Sequence, residues 1–96
     1  MAPSPSFLEK YMKDRLVYDG STGLFTWTKG QKKGEIAGWK HHSGYVCINL
    51  NYTQYSAHRL AWLYTYGYLP KEIDHKDRDK ANNKISNLRS VTRSEN

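Results

Sequence analysis

An aspartate and a histidine stand side by side near the C-terminal end of the chain, in the run Ile73-Asp-His-Lys-Asp77. A carboxylate oxygen is a ligand that hard divalent cations prefer, and an imidazole titrates near neutral pH and can act as a general base. Neighbouring side chains on a strand point to opposite faces, but a strand end that runs into a loop can direct both toward one pocket. Asp74 and His75 are therefore candidates for metal-assisted hydrolysis.

Carboxamides and carboxylates crowd the segment after this pair. A carboxamide can hold a loop through backbone hydrogen bonds, and one on a following helix can offer a second neutral oxygen to a metal. Asn82 and Asn83 are typical of turns, and we treat them as scaffold. Asp77 and Asp79 are interpreted as turn residues and as partners for nearby Lys or Arg.

The elements that must position these residues follow from apolar spacing. Ser6 to Leu16 has apolar residues at helical spacing with a possible cap at Ser6, which predicts a short helix. Two apolar runs around the turn residues 19–23 predict a β-hairpin, and Thr28 to Gly38 predicts an exposed basic loop.

A second hairpin and a buried helix are predicted in the middle of the chain. The strands of this hairpin are Tyr45 to Leu50 and about Gln54 to Ala57, and Cys47 is interpreted as a small core residue. From His58 the apolar period becomes helical until Gly67. The predicted fold class is α+β, a small single domain with N-terminal hairpins and a buried helix before the polar C-terminal segment.

Composition narrows the classes of function. Fifteen Lys and Arg against nine Asp and Glu give a net charge of +6, which favours a polyanionic partner such as nucleic acid. A single cysteine excludes an intramolecular disulfide and a Cys-rich zinc site. No apolar run is long enough to span a membrane and no secretory signal is visible, so the cytoplasm is the expected compartment.

Several segments taken in order resemble the phage-encoded HNH endonucleases, the homing and free-standing kind, whose active site is a ββα-metal motif. The matching segments are residues 16–27, Ala37-Gly38, Gly44-Tyr45, residues 57–64, Ile73-Asp-His75, Asn82-Asn83 and Ile85-Ser-Asn-Leu-Arg89. The resemblance implies an HNH domain over residues 16–96, with the ββα-metal motif at about 57–96. Residues 1–15 are then an N-terminal leader and short helix.

The resemblance also implies the site. His75 would be the general base, Asp74 and Asn96 the ligands of a divalent cation, Mg²⁺ with Mn²⁺ as the other candidate, and Asn87 would tie down the loop and orient the imidazole. The implied activity is metal-dependent hydrolysis of DNA phosphodiester bonds, by nicking or cutting, by a chain favoured as a monomer. His58 is interpreted as a hydrogen-bonded core histidine.

Basic side chains could contact the DNA backbone, positioning the duplex without reading its bases. The candidates are Lys29, Lys32, Lys33, Arg59, Arg78, Lys80, Lys84, Arg89 and Arg93. The alternative is a catalytically impaired HNH scaffold that binds nucleic acid or a host protein, because scarcely one helical turn from Thr92 would carry Asn96.

Overall fold

The described part of the chain begins with a helix that runs directly into a hairpin. The computed structural model describes residues 5–91, in which helix α1 spans Pro5–Arg15 and strands β1 and β2 span Leu16–Asp19 and Leu24–Trp27. Leu8 and Met12, one helical turn apart, are the buried residues of α1. The strands pair antiparallel over their whole length. The predicted helix and hairpin are confirmed, and the helix begins and ends one residue earlier than predicted.

The turn between β1 and β2 is closed by its own residues. The Asp19 carboxylate accepts the Ser21 N–H at 2.9 Å, and the Asp19 carbonyl accepts the Gly23 N–H at 2.7 Å. Hydrogen bonds from Ser21 lower the pKa of the Asp19 carboxyl below its ordinary value. Gly23 has φ 79°, which favours glycine because it has no Cβ. This short turn is held locally at both ends.

The middle of the chain forms a three-stranded antiparallel sheet in the order β3-β4-β5. The strands span Trp39–Lys40, Val46–Leu50 and Thr53–Ser56. The second hairpin is confirmed as β4 and β5, and Cys47 is buried as predicted. The two-residue strand β3 was not predicted, because so short a strand has no alternation from which to be recognised.

Helix α2, Ala57–Tyr66, follows β5 without a loop and confirms the predicted buried helix. It ends where Gly67, at φ 79°, donates its N–H to the carbonyl of Leu63. Leu60 and Leu63 are almost fully buried, and each such side chain stabilises the fold by about 1.5–3 kcal/mol through burial.

A third hairpin closes the described part of the chain. Strand β6, Glu72–His75, pairs antiparallel with β7, Leu88–Val91, and a 3₁₀ turn at Ile85–Asn87 leads into β7. These are the two strands of the predicted ββα unit, and its final helix lies outside the described residues.

The helices and the three sheets share one hydrophobic core. It contains Leu8, Met12, Leu16, Tyr18, Phe25, Ala37, Ile48, Leu50, Ala57, Leu60, Ala61, Trp62, Leu63 and Leu88. The α+β fold class is confirmed. Neither helix in residues 5–91 has the length and apolar character that crossing a membrane requires.

Candidate functional site

Asp74 and His75 are the last two residues of β6. In the ladder, Asp74 lies opposite Arg89 and His75 opposite Leu88. Because side chains alternate along a strand, the two are directed to different faces. His75 is only 5% exposed, whereas the Asp74 side chain is 47% exposed. The strand therefore separates a buried imidazole from a carboxylate that solvent can reach.

Asp74 is held by its cross-strand neighbour. The Arg89 guanidinium donates to Asp74 Oδ2 from Nη2 at 2.9 Å and from Nε at 3.3 Å. Both bonds end on the same oxygen, so within residues 5–91 the other oxygen, Oδ1, has no hydrogen-bond donor. Arg89 thus orients the carboxylate and leaves one oxygen for a further cation.

The His75 ring is fixed by a hydrogen bond and by neighbouring rings. Its Nε2 lies 2.8 Å from Oδ1 of Asn83, which is itself 3% exposed. The ring centroids of His58 and Tyr45 lie 5.0 Å and 6.1 Å from that of His75. These contacts leave the imidazole little rotational freedom.

His58, at the start of α2, completes this cluster of rings. It is buried as predicted, but the structure shows ring contacts with His75 and Tyr45 and, among the described residues, no hydrogen bond to its side chain. Burial lowers the pKa of His58 to about 4, with smaller contributions from His75 and Arg59. His58 is therefore a neutral ring beside His75 at ordinary pH.

Residues 76–87 connect the two strands, and Asn87 holds them together. Its Oδ1 accepts the Asp77 N–H at 3.1 Å, and its Nδ2 donates to Asp77 Oδ1 at 2.9 Å and to the Asn82 carbonyl at 2.8 Å. Asn87 therefore ties the loop, while the imidazole is contacted by Asn83. The direct contact from Asn83 was not anticipated when it was interpreted as turn scaffold.

Asp77 and Asp79 are turn residues, as expected. Asp77 accepts the Asn82 side chain and the Asp79 N–H at 2.8 Å each, and Asp79 accepts the Ala81 N–H at 3.0 Å. The hydrogen bond from Asn82, followed by those from Asp79 and Asn87, lowers the pKa of the Asp77 carboxyl. Among the described residues, the hydrogen bonds of these carboxylates come from amides, and no Lys or Arg forms an ion pair with them.

A cleft of about 410 Å³ opens beside Asp74. Its lining residues are His58, Arg59, Lys71, Glu72, Ile73, Asp74 and Val91. Two cations, Arg59 and Lys71, thus share one cleft with two carboxylates, Glu72 and Asp74. Lys71 was not predicted as a site residue, because nothing in the sequence distinguishes a lysine after Pro70 from other lysines in loops.

The other predicted DNA contacts are dispersed over the surface. Lys29 pairs with Asp14 at 2.7 Å, and Lys80 lies 4.8 Å from the centre of the Tyr45 ring, which also faces His75. Lys32, Lys33, Arg78 and Lys84 are exposed. Arg93 lies outside the described residues. Arg59, Lys80 and Arg89 are thus brought near the His75 cluster, whereas Lys29 is engaged at the end of α1.

The two expected ligands of a divalent cation are Asp74 and Asn96. Asp74 offers an exposed carboxylate with a free oxygen, which suits Mg²⁺ or Mn²⁺. Asn96, the other expected ligand, lies outside the described residues. No group of three or more His, Cys, Asp or Glu in residues 5–91 could hold a metal. Of the two expected ligands, the structure therefore describes one, Asp74.

Comparisons with known proteins found one family model and one solved structure that are similar to this chain. A family model described as HNH endonuclease matches residues 55–96. A solved structure on DNA binding and cleavage by the HNH homing endonuclease I-HmuI is similar, with a TM-score of 0.65 and 27% identity over 83% of this chain. The chain spans about half of I-HmuI, since the match covers 48% of that protein. No curated protein gives a significant match.

The family match includes β6, β7 and the loop between them, and the structural match covers 83% of the chain. The resemblance seen in the sequence is therefore confirmed. Residues 55–96 therefore match the HNH endonuclease family, and the fold of the chain is similar to that of an HNH homing endonuclease.

Proposed function

We propose that the chain hydrolyses DNA phosphodiester bonds in a metal-dependent reaction in which His75 is the general base. The observation that carries the proposal is the end of β6. There, a fixed imidazole stands next to a carboxylate that lines a cleft with two cations. A base, an acidic metal ligand and phosphate-binding groups are the parts that this reaction requires.

His75 would take the proton of the attacking water. Its Nε2 is occupied by Asn83, so the other ring nitrogen, Nδ1, is the one left to accept a proton. A base that is already oriented loses little freedom on reaching the transition state. The packing of His58 and Tyr45 against the ring serves this purpose.

Asp74, and by family resemblance Asn96, would hold the divalent cation. When bound, Mg²⁺ or Mn²⁺ would stabilise the charge that develops on the leaving oxygen. Arg89 keeps the Asp74 carboxylate in place through Oδ2, and Oδ1 is available for the cation. Asn87 would act through the loop that follows the base, by its three hydrogen bonds to Asp77 and Asn82.

DNA would lie across the cleft, with Arg59 and Lys71 contacting phosphates. Lys80, Lys84 and Arg78 extend the basic surface on the loop after β6, and Lys29, Lys32, Lys33 and Arg93 would contact the backbone farther away. DNA binding and cleavage by I-HmuI supports this choice of partner. We infer a monomer that acts in the cytoplasm of a phage-infected cell.

A plasmid relaxation assay with Mg²⁺, Mn²⁺ or EDTA tests the function. The chain should nick supercoiled DNA with either metal and not with EDTA. His75→Ala should lower the rate about 10²- to 10⁴-fold, the usual contribution of a general base, and leave DNA affinity within about twofold. His42→Ala is the matched control, because His42 is an exposed histidine whose ring contacts His41 and not the His75 ring.

Two results would contradict the proposal. If His75→Ala nicks DNA at the wild-type rate, His75 is not the general base. DNA binding without cleavage under either metal would favour the alternative, a scaffold that binds nucleic acid without turnover.

A further inference from the structure

Asn83 makes the hydrogen bond that decides which nitrogen of His75 carries the proton. The atom nearest Nε2 is the amide oxygen Oδ1, at 2.8 Å. An amide oxygen only accepts hydrogen bonds, so Nε2 must be the protonated nitrogen and Nδ1 must carry the lone pair. Both residues are buried, and water therefore competes little for this bond.

The other two carboxamides of the loop do something different. Asn82 donates to Asp77 at 2.8 Å, and Asn87 bonds to Asp77 and to the Asn82 backbone. Their partners all lie within the loop. Asn83 is thus the loop asparagine whose side chain reaches the imidazole.

Asn83 is in turn held from the first hairpin. The Tyr18 hydroxyl donates to the Asn83 carbonyl oxygen, and burial raises the pKa of Tyr18 to about 12, so the hydroxyl keeps its proton. Gly23 lies so close that a Cβ there would stand 2.5 Å from the Asn83 carbonyl carbon. The Ile85 N–H donates to the Gly20 carbonyl at 3.1 Å. Residues 18–23 therefore support the backbone at Asn83 and directly after it, as far as Ile85.

We propose that Asn83 is the positioning residue for His75: it selects the Nε2–H form of the ring and aims Nδ1 at the reaction, and Tyr18 holds it in place from the first hairpin. This inference rests on the proposed function, because it presumes that His75 is the base. It assigns to Asn83 and Tyr18 a part in the reaction although neither touches the substrate.

The test combines a spectroscopic signature with kinetics. In the metal-free, DNA-free protein, proton NMR should show a His75 Nε2–H signal that is protected from exchange with water, assigned by its loss in His75→Ala. Asn83→Leu removes the acceptor at similar size and should abolish the protected signal. Asn83→Asp keeps an oxygen acceptor and should restore it.

Plasmid nicking supplies the second measurement. Asn83→Leu should lower kcat about 10- to 100-fold, the usual cost of losing a partner that orients a reactive group, and leave KM within about twofold. Asn83→Asp should recover part of that kcat. Asn82→Ala loosens the same loop without touching the ring, and it should keep the protected Nε2–H signal.

Tyr18→Phe keeps the proposal testable if Asn83→Leu fails to fold. Loss of one hydroxyl should speed exchange of the Nε2–H proton and lower kcat by about 3- to 10-fold, since a misaimed group costs rate. Tyr68→Phe is the matched control, because Tyr68 is exposed and its ring contacts Trp62 and not Asn83, and it should leave both measurements unchanged.

The outcomes separate the two proposals. A protected Nε2–H signal that persists in Asn83→Leu, or a kcat unchanged by that substitution in an active chain, overturns the positioning role. A wild-type chain that shows the protected signal yet never nicks DNA overturns the nuclease function and, with it, the part assigned to Asn83 in the reaction.

Discussion

The β1–β2 and β6–β7 hairpins have antiparallel ladders of the same length, but a short turn connects the first pair of strands and a long loop connects the second. In the first, residues 20–23 close the turn through Asp19 and a left-handed Gly23. In the second, residues 76–87 form a long loop that carboxamides hold together. The hairpin with the simple turn supports the backbone at Asn83, next to the candidate base. A hairpin with a locally closed turn thus supports the hairpin that carries the candidate site.

A substitution at the contact between the two hairpins should cause the largest loss of stability. Gly23→Ala places a methyl group 2.5 Å from the Asn83 carbonyl carbon and the Lys84 nitrogen, and it also strains a residue at φ 79°. We expect a loss of about 4 kcal/mol in the free energy of unfolding, measured in urea, because steric overlap and backbone strain add.

Gly30→Ala is the matched control for this substitution. Gly30 has φ 84° but nothing within 4 Å of its Cβ position, so only the backbone strain of about 1 kcal/mol applies. Equal losses at Gly23 and Gly30 would show that the hairpins do not depend on their contact.

A second comparison removes the side chain that closes each connection. Asn87→Ala breaks three hydrogen bonds of a buried amide and should cost about 3 kcal/mol. Asp19→Ala removes an exposed carboxylate whose turn retains its backbone hydrogen bonds, and it should lower the stability much less than Asn87→Ala does. Chemical denaturation of both variants measures the difference. A costlier loss at Asp19 would reverse the roles assigned to the two connections.

Acid should destabilise the β6–β7 hairpin first. His58, which packs against His75 and faces Tyr45 and Arg59, has its pKa lowered from 6.5 to about 4 by burial. The unfolded chain binds this proton below pH 6.5 and the folded chain does not. Stability is therefore complete above pH 6.5 and is lost as the pH falls toward 4, by about 2 kcal/mol after solvent screening.

Urea unfolding at pH 7 and pH 5 measures this loss, and amide hydrogen exchange locates it. His58→Phe keeps a ring and removes the titration, so its stability should change less between these pH values. Loss of protection in β1–β2 before β6–β7 would contradict the placement of His58.

Much of the fold could be predicted because it depends on local patterns. Helical spacing at Leu8 and Met12, turn residues between Asp19 and Gly23, and the Gly67 stop each act within a few residues. Strand β3 could not be predicted, since two residues have no period and Trp39 and Lys40 become a strand only by pairing with β4.

The candidate site likewise contains residues that the sequence could identify and residues that it could not. Adjacent Asp74 and His75 are visible in the sequence as a chemical pair, and their position at the end of a strand is confirmed. Asn83 could not be distinguished from Asn82 there, because both are loop asparagines. Only one is buried with its amide against the ring, and that follows from Tyr18 and Gly23, which lie some 60 residues earlier in the chain.

The sequence by itself determined the types of group present, their order, and the elements that carry them, because residue chemistry and short-range periodicity are local properties. The tertiary structure decided which nitrogen of His75 is free, which oxygen of Asp74 is occupied, and which cations share the cleft. Those outcomes depend on contacts between residues far apart in the chain, and such contacts exist only when the hairpins and α2 pack on one core.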